Sequence, residues 1–235
     1  THAFPDTFDV RFDEICQKMQ AAGLVLDFSH ANFHGINAMW EEGSDGDAYE
    51  ALLCEDIDKC AKYHIPGLVV HLSSGEHPPV INGTGYRRFG AVVAHGKEKG
   101  VTVYFENIRT VANLAWALEE FPESGFCWDV GHEACFAYGK QYMPVFGKRL
   151  AALHLHDNMG VHNGDDHMLP YDGKLDYERI ARQIAESPFE GTVMLEVLRY
   201  SNHAYDDISV EEYYARAARA AKKLRDRIET IRKEQ

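Results

Sequence analysis

A chain of 235 residues, 45% of them apolar, has enough apolar material for one substantial core of the size of a single barrel domain, with no second domain required. Its 24 Lys and Arg against 37 Asp and Glu leave a net charge of −13, a field that repels phosphate backbones and anionic lipid and so disfavours nucleic acid as a partner. No stretch approaches the run of about 18 apolar residues that spans a membrane, and no charged-then-apolar leader precedes a cleavage site; no membrane association and a cytoplasmic location are expected.

In chain order, helical spacing over 9–22 is followed by a short apolar segment at 24–29. Helical stretches at 47–63, 85–99, 110–121 and 175–187 then alternate with apolar segments at 68–70, 101–105, 126–128, 150–153 and 193–195. A long final helix is expected over 209–233, opened by Ser209 with Glu212 three residues on, a capping-box pattern. Short strands alternating with helices predict βα units and a parallel sheet, and the runs at 68–70, 101–105 and 193–195 lack polar alternation, as strands covered on both faces do. The predicted fold is α/β, of the (β/α)8 TIM-barrel type, forming one domain over 1–235. Six strands are countable where a closed barrel needs eight, so the first βαβ unit is expected to be absent, leaving sheet edges to be covered by the chain's own helices or by a partner, such as a second copy. Cys16, Cys54, Cys60, Cys127 and Cys135 are odd in number with no C-x-x-C pair, and are expected as buried thiols.

Each of the six apolar segments ends in a residue able to hold a divalent cation: His30, His71, Glu106, Asp129, His154 and Glu196. The C-terminal ends of successive parallel strands are where a barrel builds its active site. Three carboxylates and an imidazole, Glu106, Asp129, His154 and Glu196, make a hard set suited to Mn²⁺, Mg²⁺, Zn²⁺ or Co²⁺. Asp129-Val130-Gly131-His132 offers a second ligand type and a glycine for a sharp turn off the strand, and Asn107 is placed to fix the Glu106 carboxylate. In His154-Leu155-His156-Asp157-Asn158 the two imidazoles point the same way on a strand; His154 is read as the ligand and His156 as a substrate or outer contact. The loop 159–174 adds Asp165 and His167. His30 and His71 stay open between metal ligation, a substrate hydroxyl and a capped core. His34, His77 and His162 lie on mouth-side loops, while His2, His64, His95 and His203 read as surface or structural.

In this order, His30, His71, Glu106-Asn107, Asp129-x-Gly-His132, His154-Leu-His-Asp-Asn158, Asp165-x-His167 with Pro170-x-x-Gly173, and Glu196 resemble the xylose isomerase-like TIM-barrel superfamily, which joins sugar isomerases and epimerases to endonuclease IV. The resemblance covers nearly all of the chain from about residue 9. It implies one divalent metal on Glu106, Asp129, His154 and Glu196, with Glu106 and Glu196 also moving protons beside a sugar carbonyl through an enediolate. The substrate class implied is a small sugar or sugar phosphate; no glycine-rich phosphate loop is present, so the phosphate rests on the resemblance alone. In the endonuclease IV branch, the positions matching His30, His71, His132, Asp165 and His167 hold two further zinc ions, three in all, for cleavage at abasic DNA. The charge of −13 and the lack of basic, aromatic-bearing loops speak against that branch. A non-catalytic metal- or sugar-binding subunit is the third alternative.

Overall fold

The computed structural model describes residues 2, 3, 12–201 and 203–235, the first two by backbone alone. Two compact units follow one another along the chain, Thr1–Gly125 and Phe126–Gln235.

In the first unit, β1 (His2–Ala3), β2 (Phe28–His30), β3 (Gly67–Val70) and β4 (Thr102–Glu106) pair in parallel, each with the next. Their connections hold α1 (Phe12–Ala21), a 3-10 turn (Ile36–Trp40), α2 (Ser44–Lys62) and α3 (Gly83–Lys99); α4 (Val111–Glu120) follows β4. All four residues of β3 are buried, because a parallel strand covered on both faces has no side left for polar groups. Gly67 carries no Cβ because the Tyr104 ring of the neighbouring strand occupies that space. α3 starts at Asn82, whose side chain accepts the Gly85 amide at 3.0 Å, and stops at Gly100 in the left-handed conformation, φ 72°. Register then fixes the site: Val70 pairs with Phe105, so His71 stands level with Glu106, and His30 pairs with Val69.

Two strand expectations change here. Leu24 and Val25 are exposed and β2 begins only at Phe28, so apolar content alone sets the strand four residues early. A strand also precedes α1: His2 and Ala3 pair with Phe28 and Ser29, making β1–α1–β2 a parallel crossover where the first βαβ unit was expected to be absent. Two residues carry no periodicity from which a strand can be read. The expected helix start at 9–11 lies outside the described residues.

In the second unit, β5 (Gly125–Asp129), which begins on the last residue of the first, pairs in parallel with β6 (Leu150–His154), bringing Asp129 level with His154. α5 (Val130–Phe136) and α6 (Met143–Phe146) are too short to show helical spacing and were not expected. α7 (Tyr177–Ala185) packs along α8 (Val210–Glu234), which buries Tyr213, Ala217, Leu224, Ile228 and Ile231 on one face. Ser209 caps α8 as its sequence predicts, accepting the Glu212 amide at 3.2 Å.

The segment 193–195, expected as a strand, makes a single parallel bridge, Leu155 to Leu195. Its ladder stops because the facing chain peels away: Asp157 turns to pair antiparallel with Met168, their backbones exchanging hydrogen bonds of 2.8 and 2.9 Å. That turn folds the loop 159–174 back over the end of β6. All five cysteines are free thiols, four buried and Cys54 half-buried. Among the described residues no helix is long and apolar enough to cross a membrane.

Candidate metal centre

His30, Glu106, Asp129 and His154 are the last residues of β2, β4, β5 and β6, His71 follows β3 and Glu196 follows the bridge at Leu195, and each unit holds its own group of them. In the first unit, Glu106 closes β4 with its side chain 1% exposed. Its Oε2 lies 3.2 Å from His30 Nε2 and 3.0 Å from His71 Nε2. His30 Nδ1 is 2.7 Å from the Ala31 carbonyl, which can only accept, so Nδ1 carries the ring's proton. A neutral His30 therefore turns an Nε2 lone pair toward a carboxylate oxygen. Two acceptors at that separation repel unless a proton or a cation stands between them. Phe33 stacks on His71 with ring centroids 4.7 Å apart, holding the imidazole plane. Asn107 is fully buried beside Glu106.

In the second unit, Asp129 ends β5 and caps α5 in one stroke: its Oδ1 accepts the His132 amide at 2.6 Å. The same oxygen lies 3.1 Å from His156 Nε2. Oδ2 faces ring nitrogens, His132 Nδ1 at 3.6 Å and His154 Nδ1 at 3.9 Å. His154 Nδ1 is also 3.2 Å from Glu196 Oε2. A shell with bonds of about 2.0–2.2 Å has ligand-to-ligand edges of roughly 3.0–3.5 Å. The 3.2 Å between His154 and Glu196 falls in that range and the 3.9 Å between His154 and Asp129 lies beyond it, while two carboxylates and an imidazole are donor types that suit a hard divalent cation.

A second group in this unit centres on Asp165. Its carboxylate lies 3.4 Å from His132 Nε2, 3.3 Å from His167 Nε2 and 3.6 Å from His156 Nε2. Burial pushes this carboxyl up, but hydrogen bonds from His132 and His167, with their positive charge, more than reverse the push and hold it well below the usual carboxylate range. For His167, burial pulls the ring down, and the hydrogen bond to Asp165 with the charges of Asp165, Glu196 and Asp129 raises it to about 9. His167 Nδ1 donates to the Glu196 carbonyl at 2.8 Å, and the Leu198 amide donates to the His167 carbonyl at 3.0 Å. The loop histidine and the Glu196 segment are therefore tied to each other at two points.

The loop that carries Asp165 and His167 hangs on Asp157, which the sequence offers within the His154–Asn158 motif but without a role. Asp157 is fully buried and accepts three backbone amides: Asn158 at 2.9 Å and Leu175 at 3.0 Å on Oδ1, and Tyr171 at 3.0 Å on Oδ2. The signal was present as an acid directly after a strand end and before a long loop. Gly173 has no Cβ because Asp157 Oδ1 and the Asn158 carbonyl fill that space. Gly131 also differs from expectation: it lies inside α5, and its missing side chain makes room for the His156 ring rather than for a turn.

Of the mouth-side histidines, His162 is tied to the end of α5, its Nδ1 donating to the Cys135 carbonyl at 3.0 Å and its Nε2 meeting the Tyr138 hydroxyl at 2.9 Å. His34 is exposed beside Phe33 and His77 is exposed. His64 and His203 are exposed, and His95 pairs with Asp58 at 3.0 Å.

The family description "xylose isomerase-like TIM barrel" matches residues 2–226. The uncharacterized protein y4fM of Sinorhizobium fredii is 30% identical over 200 residues, 77% of this chain and 61% of that protein, so the chain spans less than two thirds of that relative. D-psicose 3-epimerase from Clostridium cellulolyticum H10, solved with D-tagatose, is similar with a TM-score of 0.74 at 12% identity, over 92% of this chain and 83% of its own. A structure of L-ribulose 3-epimerase gives 0.73 at 13% identity, over 99% and 84%. At such identities the likeness is one of fold. Since the family match runs through both units and nearly the whole chain, the chain belongs to the xylose isomerase-like TIM-barrel family.

Proposed function

We propose that the chain is a metal-dependent isomerase or epimerase of a small sugar or sugar phosphate. The observation that carries this is the convergence of two carboxylates on one imidazole nitrogen, Glu196 Oε2 at 3.2 Å and Asp129 Oδ2 at 3.9 Å from His154 Nδ1. A bound divalent cation would supply polarisation of a carbonyl and its neighbouring hydroxyl, acidifying the adjacent C–H. Asp129 and His154 have fully buried side chains, whereas that of Glu196 is 16% exposed. Glu196 is therefore the group of the three that reaches a substrate, and it is assigned removal of the proton beside the carbonyl. Return of a proton to the planar enediolate is assigned to Glu106, as the family resemblance implies; its Oε2 lies 3.2 Å from His30 Nε2 and 3.0 Å from His71 Nε2. The 3-epimerases named above support a ketose as substrate.

The test is deuterium exchange. The metal-loaded chain, incubated in D₂O with D-psicose, D-tagatose or L-ribulose, is expected to exchange the C3 proton, and E196Q to lose that exchange while keeping its fold. Exchange at the wild-type rate in E196Q would remove Glu196 from the chemistry.

One observation favours a second reading. His132 and His167 around the Asp165 carboxylate, and His30 and His71 on Glu106, are more ligands than a single cation uses. An endonuclease IV-like phosphodiesterase with up to three zinc ions would use them.

A further inference from the structure

We infer that His156 is a positioning residue that locks the Asp129 carboxylate and the His167 ring in the arrangement a divalent cation needs, without itself being a ligand. This rests on the metal-binding proposal above. His156 is fully buried one residue beyond the β6 bridge, between the strand end and the loop. Its Nδ1 is buried and has no hydrogen-bond partner among the described residues. A proton on that nitrogen would be a buried donor with no acceptor, so the neutral ring carries its proton on Nε2. Nε2 lies 3.1 Å from Oδ1 and 3.3 Å from Oδ2 of Asp129. The imidazole thus donates to the carboxylate, and a nitrogen that donates has no lone pair for a metal. Two groups that contain His156, one with Asp129 and His132 and one with His167 and Glu196, satisfy the spacing of a metal site, but a donating Nε2 held on Asp129 is not offered to a cation in either.

What that hydrogen bond does follows from the other donor. Oδ1 already accepts the His132 amide at 2.6 Å, so His156 completes the coverage of Oδ1 and leaves Oδ2 turned toward His132 Nδ1 and His154 Nδ1. Asp129 is thereby set to bind through one oxygen. On its other side the His156 ring stacks on His167, centroids 4.1 Å apart and planes at 19°, fixing the ring that faces Asp165. Gly131 on α5 lies against the same ring so closely that a Cβ there would overlap it. One imidazole therefore ties the end of β5, the first turn of α5 and the loop 159–174. Outer groups that hold metal ligands in this way change affinity by roughly 10–100-fold when removed.

The experiment is zinc affinity by competition with a chromophoric chelator, beside thermal melting of the zinc-free protein. H156F keeps a ring to stack and loses the donor; it is expected to weaken zinc binding by roughly 10–100-fold while the zinc-free melt is unchanged or higher. H156Q, which restores a donor at the Nε2 position, is expected to recover most of that loss. Should H156F fail to fold, G131A carries the same question by displacing the ring, and it is expected to weaken zinc binding in the otherwise intact chain. Wild-type affinity in a folded H156F, or in G131A, overturns the assignment, as does equal loss in H156F and H156Q. If the wild-type chain takes up no zinc, the metal-binding proposal falls first and this one with it; zinc uptake with no effect of the variants sinks this one alone.

Discussion

His167 sits at φ 46°, a left-handed conformation that costs a non-glycine residue about 1–3 kcal/mol and survives only where its surroundings enforce it. The enforcement is visible: Nδ1 donates to the Glu196 carbonyl, the backbone carbonyl accepts the Leu198 amide, and the ring is stacked on His156. With Nδ1–H so committed, a second proton on this ring must be on Nε2, facing Asp165. Burial disfavours that charge, but Asp165, Glu196 and Asp129 outweigh it and raise the ring to about 9. The folded value is above the ordinary 6.5, so the metal-free ring stays protonated through pH 8 and loses its proton as pH rises through about 9. A cation that takes Nε2 must displace that proton. Zinc that ligates His167 is expected to release about one proton more from wild type than from H167Q at pH 8, with the difference vanishing near pH 10, whereas a single cation held by Asp129, His154 and Glu196 leaves the two equal. Titration calorimetry in two buffers of different ionisation enthalpy measures it; equal release at pH 8 would take His167 out of the ligand set.

At the scale of elements, the loop 159–174 shows how a buried anion can stand in for secondary structure. Asp157 gathers amides from residues 158, 171 and 175, closing the loop upon its own stem. Asn163, His167 and Tyr171 all have positive φ, so the loop is held against local preference. D157N keeps the shape but turns one acceptor into a donor facing an amide. Hydrogen bonds to charged groups contribute about 1.5–3 kcal/mol each, and a loss of that order in urea unfolding is expected, with faster proteolytic cleavage of the loop and weaker zinc binding. Unchanged cleavage would mean that another group holds the loop. The candidate residues at the strand ends are legible because each follows a recognisable apolar run, as Glu106 follows Val101–Phe105 and His154 follows Leu150–Leu153. Asp157 and Gly131 are not, because what they do depends on partners brought up by folding: amides 14 and 18 residues on for Asp157, and the ring of His156 for Gly131. The two-residue β1 and the single bridge at Leu195 escape a periodicity reading for the opposite reason, being too short to carry a pattern.

For the whole molecule, charge is the property that separates the two chemistries the ligands allow. A trinuclear phosphodiesterase and a sugar epimerase use overlapping histidines and carboxylates, so the ligand list does not choose between them. A net charge of −13 favours the proposed sugar chemistry. Binding to duplex DNA draws on Lys and Arg that neutralise phosphates and release counterions, and its strength falls steeply with salt. Here cations are tied down locally: Arg227 pairs with Glu178, Arg179 with Glu133, and Arg88 with Asp47 while buried among carbonyls. Even three bound zinc ions would leave the chain well below neutrality, at −7 by simple addition to −13. A ketose presents no phosphate backbone and meets no such penalty. The zinc-loaded chain is therefore expected not to nick an abasic duplex at low or physiological salt, while it exchanges the C3 proton of a ketose. Metal analysis of the protein as isolated adds the count: one cation per chain accompanies the sugar chemistry, and three together with salt-sensitive nicking would overturn it in favour of the phosphodiesterase.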